Sequence, residues 1–133
     1  MFKFTGRRPK DLGVDNGHFK AARSWKPNWV SSQVEVTDAH YIAPLKAAGD
    51  ARATIQKLAK VLQSFPRVNV VEQKDAYLYA EFSTALMGYT DDVEFAALGD
   101  AIQVRSSSRL GIRDFDVNRK RIEAVRAAFD QSK

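Results

Sequence analysis

The residues best equipped for chemistry fall in two stretches of the C-terminal half. The first is Asp91-Asp92-x-Glu94, carboxylates of the kind that hold magnesium or calcium. On a strand, Asp92 and Glu94 project to one side and Asp91 to the other, so all three reach one ion only if a bulge opens the strand. A turn-end acid pair with a cross-strand ion pair accounts for the same residues, and no metal is assigned. The second stretch is Arg105-Ser106-Ser107-Ser108-Arg109, with Gly111 after it and Asn118-Arg119-Lys120-Arg121 at a helix start. Hydroxyls, free N–H groups in a first helical turn and arginine forks together suit an oxyanion. No Gly-Lys-Ser/Thr follows a glycine-rich turn, so this is not a P-loop, and no cofactor is expected. Asp91, Asp92, Asp114 and Glu94 offer the same arginines internal partners that would tie the last helix to the sheet. The division expected is that Arg105 and Arg121 anchor, while Arg109 and Arg119, with Ser107 and Ser108, form an anion-binding set.

Support for catalysis is thin. His18 and His40 are the only histidines, and neither Ser31-Ser32 nor Ser106–Ser108 lies in a Gly-x-Ser-x-Gly elbow. Ser32, His40 and Asp92 can be written as a nucleophilic set, but such a set can be written for most proteins. His40 reads better as a hydrogen-bonded part of the loop before Pro44. Glu81 and Glu94 could form an acid/base pair, yet Arg105 beside them would hold both ionised and spoil the acid.

These residues need elements to position them. Asp50 suits an N-cap, and Ile55, Leu58, Ala59, Leu62 and Phe65 share one stripe, so the spacing predicts a helix over 51–64 stopped by Pro66. Strands are predicted at 67–73, 76–84, 91–98 and 101–107, with turns at Lys74-Asp75, Met87-Gly88 and Gly99-Asp100. Val34 and Val36 predict a further short edge strand, and 38–48 is ambiguous. A last helix is predicted over 117–130, started by Asp116 or Asn118, with Ile122, Val125 and Phe129 buried. Leu78, Ala80, Phe82, Val93, Phe95, Ala97, Ile102 and Val104 alternate with polar partners, which gives the sheet one apolar face. Two-residue turns would set Glu94 opposite Arg105 and Glu81 opposite Glu94. The polar face then carries a cluster of Glu81, Glu94, Arg105 and Asp92, with Tyr77 and Tyr79 nearby. The architecture expected is α+β: an antiparallel four- to five-stranded meander with two helices packed on one face.

At 133 residues and 44% hydrophobic composition, the chain has the size and character of one soluble globular domain. Residues 1–30 hold seven Lys/Arg against Asp11 and Asp15, which equals the whole net charge of +5. This segment is rich in turn residues and carries Phe2, Phe4, Phe19, Trp25 and Trp29. It is therefore read as a basic, aromatic-containing arm packed on the domain formed by 31–133, with both tryptophans buried. Within the neutral part, 72–100 is acidic and 105–126 basic. Ion pairing between the two blocks across a sheet is expected, and a nucleic-acid partner is not, since that footprint wants one contiguous basic face. The opening residues contain no apolar stretch like a secretory signal, no run is long enough to span a bilayer, and there is no cysteine. These features lead to an expected cytoplasmic location.

Read in order, several stretches resemble a known family. They are Pro9-Lys10-Asp11-Leu12-Gly13-Val14, Pro27-Asn28-Trp29-Val30-Ser31-Ser32, Asp91-Asp92-Val93-Glu94-Phe95, Arg105-Ser106-Ser107-Ser108-Arg109-Leu110-Gly111 and Asp114 through Ile122. The chain is similar over nearly its whole length to the family of domain-of-unknown-function 1499. The family pattern has two cysteines flanking its Pro-Asn. The matching positions here are Arg23 and Trp29, so both are lost together, as a discarded disulfide would be. Many members resemble exported proteins or lipoproteins, which sets the cytoplasmic expectation against the family habit. The resemblance implies no reaction, ligand or catalytic residue.

The function expected from the residues is a non-enzymatic binding or accessory module. Its partner would be an anionic small molecule or an acidic protein segment at the polar sheet face and the Arg/Ser loop. The alternative is a small hydrolase or metal-dependent enzyme built on Asp92, Glu94, Glu81 and His40.

Overall fold

A computed structural model of the chain describes residues 7–20, 26–84, 89–109 and 115–132. The elements in chain order are β1 (Val14–Asp15), β2 (His18–Phe19), β3 (Trp29–Ser31), β4 (Leu45–Lys46), α1 (Ala51–Leu62), β5 (Val68–Gln73), β6 (Tyr77–Ser83), β7 (Thr90–Leu98), β8 (Ala101–Ser108) and α2 (Phe115–Gln131). The fold is α+β, and all named strand pairs are antiparallel.

The main sheet has six strands rather than four or five. β5 to β8 form a meander, and both β3 and β4 pair with the free side of β8. The extra strands come from places where the pattern is short. Trp29-Val30-Ser31 buries Val30 among the core side chains and pairs Trp29 with Ser107 and Ser31 with Arg105. The strand expected at Val34 and Val36 does not form. Val36 is instead an exposed apolar residue, because the chain turns away after Ser31 and Ser32 closes on Val104. β3 straddles position 30, so part of the expected arm is a strand of the sheet.

Local chemistry explains the helices and turns. The Asp50 carboxylate caps α1 by accepting from the Ala53 N–H at 2.8 Å, satisfying one of the donors a helix start leaves open. Gly99, at φ +64°, takes the left-handed position of the two-residue β7–β8 turn, and Leu98 lies opposite Ala101 as expected. In the N-terminal segment, Asn16 (φ +51°) and Gly17 (φ +79°) make the two-residue turn of a small hairpin that pairs Asp15 with His18.

The core is one cluster. Ile55, Leu58 and Leu62 of α1 and Ile122, Val125 and Phe129 of α2 join Leu78, Ala80, Phe82, Val93, Phe95, Ala97, Ile102 and Val104 of the sheet. The period-two alternation of strands sends the intervening residues to the opposite face. Glu94 does lie opposite Arg105. Glu81, however, lies opposite Asp92, and Glu94 opposite Tyr79. The reason is the length of the β6–β7 connection: Ser83 pairs with Thr90, and the Thr84 N–H bonds to the Tyr89 carbonyl, so the connection exceeds two residues. The expected turn residues Met87 and Gly88 lie outside the described residues. The displacement is two positions, so every side chain keeps its face while its cross-strand partner changes.

Candidate functional site

Two rows of side chains cross the face turned away from the helices: Tyr79, Glu94, Arg105, Ser31 and, beside it, Glu81, Asp92, Ser107, Trp29. β7 is central, and its residues 91–97 are buried on both faces. An acidic strand can be buried only if its charges find partners, and they do. Glu94, fully inaccessible, accepts from the Arg105 guanidinium, from the Tyr77 hydroxyl at 2.6 Å and from the Gly13 N–H at 2.7 Å. Asp92 accepts from the Tyr79 hydroxyl at 2.5 Å and from Arg109 through Nε at 3.0 Å and Nη2 at 2.9 Å. Glu81 accepts from Arg109 at 2.6 Å and from Arg8 at 2.9 Å.

The electrostatics follow from this pairing. Burial first, then hydrogen bonding to Glu94, pushes Tyr77 ionisation well above the ordinary phenol range. Burial and the bond to Asp92 do the same to Tyr79. For Glu81, burial favours the neutral acid, but hydrogen bonds from Arg8 and Arg109 outweigh it and lower its pKa. The Asp92 contact, opposed by burial, raises Arg109. Three carboxylates and three arginines (Arg8, Arg105 and Arg109) make the cluster neutral. The acidic and basic blocks of the sequence meet across the sheet in this way.

The set Arg109, Arg119, Ser107 and Ser108 does not converge. Ser107 lies on the polar face, while Ser108, one residue on, faces the helix side, where its Oγ accepts from Asn118 at 3.0 Å. Arg119 donates to the backbone carbonyls of Tyr41 (2.7 Å) and Ala39 (2.9 Å), and Arg109 is taken up by Asp92 and Glu81. Alternation along β8 and the pull of buried carboxylates separate residues that are near in sequence. Arg121 anchors to Asp91 on the helix side, as expected. Asn118 lies within α2 rather than at its start. It is fully buried and joins Ser106, Ser108 and the Asn28 carbonyl at 2.6, 3.0 and 3.1 Å.

The three acids of Asp91-Asp92-x-Glu94 also divide between the two faces, and no group of His, Asp and Glu converges on a cation position among the described residues. His40 sits with Nδ1 at 2.7 Å from Asp38 and Nε2 at 2.8 Å from the Lys26 carbonyl, stacked on Trp29 at 3.8 Å. The Ser32 hydroxyl bonds instead to Gln103 at 2.8 Å. Trp29 and Phe19 are partly buried; Trp25, Phe2 and Phe4 lie outside the described residues.

Between this face and the N-terminal segment lies a cavity of about 380 Å³. Arg105, Ser107 and Ser31 line it from the sheet, Asp92 from beneath, and Leu12, Phe19, Trp29 and Val34 form apolar walls. The segment is held over it by the Gly13–Glu94 bond and by Gln33. The Gln33 side chain accepts from the Phe19 N–H at 2.9 Å and donates to the Gly17 carbonyl at 2.8 Å. Ser31 and Gln33 carry no pattern of their own; the alternation of Trp29-Val30-Ser31 is the only signal that could have found them.

The architecture therefore defines a class: an antiparallel sheet with a helix-covered apolar face, and a polar face roofed by the N-terminal segment. The chain belongs to the family described as "Protein of unknown function (DUF1499)", whose model matches residues 21–129. No curated protein and no solved structure matches it. Among the described residues, no helix is long and apolar enough to cross a membrane.

Proposed function

We propose that the protein is a non-enzymatic binding module whose ligand is a small molecule held in the cavity by an oxygen acceptor on Arg105 and Ser107. The observation that carries this reading is the state of Arg105. Its side chain is 7% exposed, yet among the described residues its guanidinium has one hydrogen-bonding nitrogen on Glu94 and the Phe19 ring 5.8 Å away. A buried guanidinium offers five N–H donors, and leaving them unmet costs free energy. The cavity volume is in the range of small-molecule sites, which combine apolar walls with a few placed polar groups. A hollow of this size suits a small molecule better than an acidic protein segment.

The enzymatic alternative has less support. Glu81, Asp92 and Glu94 already accept from two or more donors each, and His40 is fixed between Asp38 and Lys26, so none of these four is poised to move a proton.

The test is a thermal-shift screen of neutral and anionic metabolites against the native protein and a Ser107→Phe variant that fills the cavity. A native-state ligand raises the melting temperature by mass action. Stabilisation of the native protein that disappears in the variant is the expected result. Stabilisation that survives in the filled variant, or no stabilising compound at all, contradicts the reading.

A further inference from the structure

We infer that the ligand of this cavity is a monocarboxylate with a flat apolar body, and not a phosphate or a dicarboxylate. The inference rests on the binding reading above and narrows it to a chemical class.

On the sheet side of the cavity, the polar groups left over are donors. Nε and Nη1 of Arg105 have no protein acceptor among the described residues. They are not sealed inside the protein either: among the described residues the one sealed polar side-chain atom lacking a partner is Oδ1 of Asp91, on the other face. Their opening is the cavity that Arg105 lines. The Ser107 hydroxyl has no protein partner among the described residues. Ser31 Oγ accepts from the Gln33 N–H at 3.0 Å, which leaves its proton to give. Ser31 is the cross-strand neighbour of Arg105, and Ser107 lies two residues along the same strand on the same face. Three donors thus converge where an acceptor must come from outside, and an anionic oxygen makes the strongest bonds to such a set.

Charge fixes how much anion the site can take. The Arg8, Arg105 and Arg109 cations already balance Glu81, Asp92 and Glu94. One further negative charge meets the unfilled edge of Arg105. A second would sit against Glu94, which shares that guanidinium, and Asp92, which lines the cavity; the other two charged lining residues, Asp11 and Lys26, are of opposite sign and add no net charge. Like charges brought together in a poorly hydrated site repel strongly. Of the rest of the lining, Asp11, His18, Lys26, Asn28 and Gln33 are polar, while Leu12, Phe19, Trp29 and Val34 offer apolar surface that favours a ring or flat hydrocarbon.

The experiment is a titration of the full chain followed through the backbone amide resonances of Ser31, Gln33, Arg105 and Ser107. The four probes are phenylpropionate, phenylpropionamide, phenyl phosphate and succinate. Phenylpropionate is expected to shift these resonances and to bind about tenfold tighter than its amide, the worth of one charge-assisted hydrogen bond. Phenyl phosphate and succinate are expected to bind more weakly than phenylpropionate. Ser107→Ala is expected to weaken phenylpropionate several-fold. The paired change Glu94→Gln with Arg105→Met, which strands no charge, is expected to remove the preference for acid over amide. If the amide or phenyl phosphate binds as tightly as the acid, the cavity is a binding site and the carboxylate assignment is wrong. If none of the four shifts these resonances, the assignment is also wrong, and the screen against the filled variant then decides whether the binding reading falls with it.

Discussion

Replacing Arg109 with alanine removes the guanidinium that holds the second row of the polar face together. Its side chain is 7% exposed and its partner Asp92 only 2%, so water cannot simply take its place. The bonds lost include two to Asp92, one to Glu81 and one to the Tyr79 hydroxyl. Breaking a buried ion pair by removing one partner costs about 3–5 kcal/mol. The lower end applies here, because the Tyr79 hydroxyl still serves Asp92 and because Glu81 keeps Arg8 and some contact with solvent. A loss of about 3 kcal/mol is then expected, a large part of the 5–15 kcal/mol typical of a domain. Urea unfolding should show a lower midpoint with an unchanged slope. Adding Asp92→Asn should recover part of the loss, because the stranded charge is gone. A single variant within about 0.5 kcal/mol of the native protein, as at ordinary surface positions, would refute the claim that these arginines hold the buried acids.

Three further outcomes concern the two faces of the sheet. Tyr77 and Tyr79 have raised folded-state pKa values, so their contribution is complete below the ordinary phenol value of about 10 and is lost as pH rises toward the folded values. Stability should therefore fall on alkaline titration, and Tyr77→Phe with Tyr79→Phe should flatten that slope in pH-dependent urea melts. Glu81 is the opposite case: its pKa is lowered from 4.5, so its contribution is present above that value and is lost as pH falls through the folded value. Glu81→Gln should reduce the acid sensitivity of the urea midpoint. Asn118→Ala should destabilise by about 1–3 kcal/mol, since it leaves two serine hydroxyls without their partner and takes from the Asn28 carbonyl one of its two donors. A change within the error of the unfolding curves would contradict the bridging role.

The sheet faces were legible in the sequence because alternation carries face directly: Leu78, Ala80 and Phe82 against Tyr77, Tyr79 and Glu81 allow one assignment. The Glu94–Arg105 pair was legible because Gly99 sets a short turn. The Glu81–Asp92 pairing was not, since alternation is blind to a two-residue displacement and loop length has no comparably strong signal. Strands of two or three residues, such as Trp29–Ser31 and Leu45–Lys46, are too short to show a period, and Asn16-Gly17 reads as a turn without revealing the hairpin it closes. The four residues of the anion set are kept apart for a different reason. Arg109 and Ser108 are close in sequence to Ser107, but their partners, Asp92 and Asn118, are brought up by folding from 17 and 10 residues away. The donors that stay open, on Arg105, Ser107 and Ser31, are recognisable only once the other arginines are seen to be occupied.

We propose the cavity under the N-terminal segment as a ligand site organised by Arg105. A crystallographic fragment screen with a library of neutral, monoanionic and dianionic compounds tests it most directly. The account predicts fragments gathered between Phe19 and Trp29, each with an oxygen within hydrogen-bonding distance of Arg105 or Ser107. Fragments gathered elsewhere on the protein, with the cavity holding only water that satisfies Arg105, would contradict it.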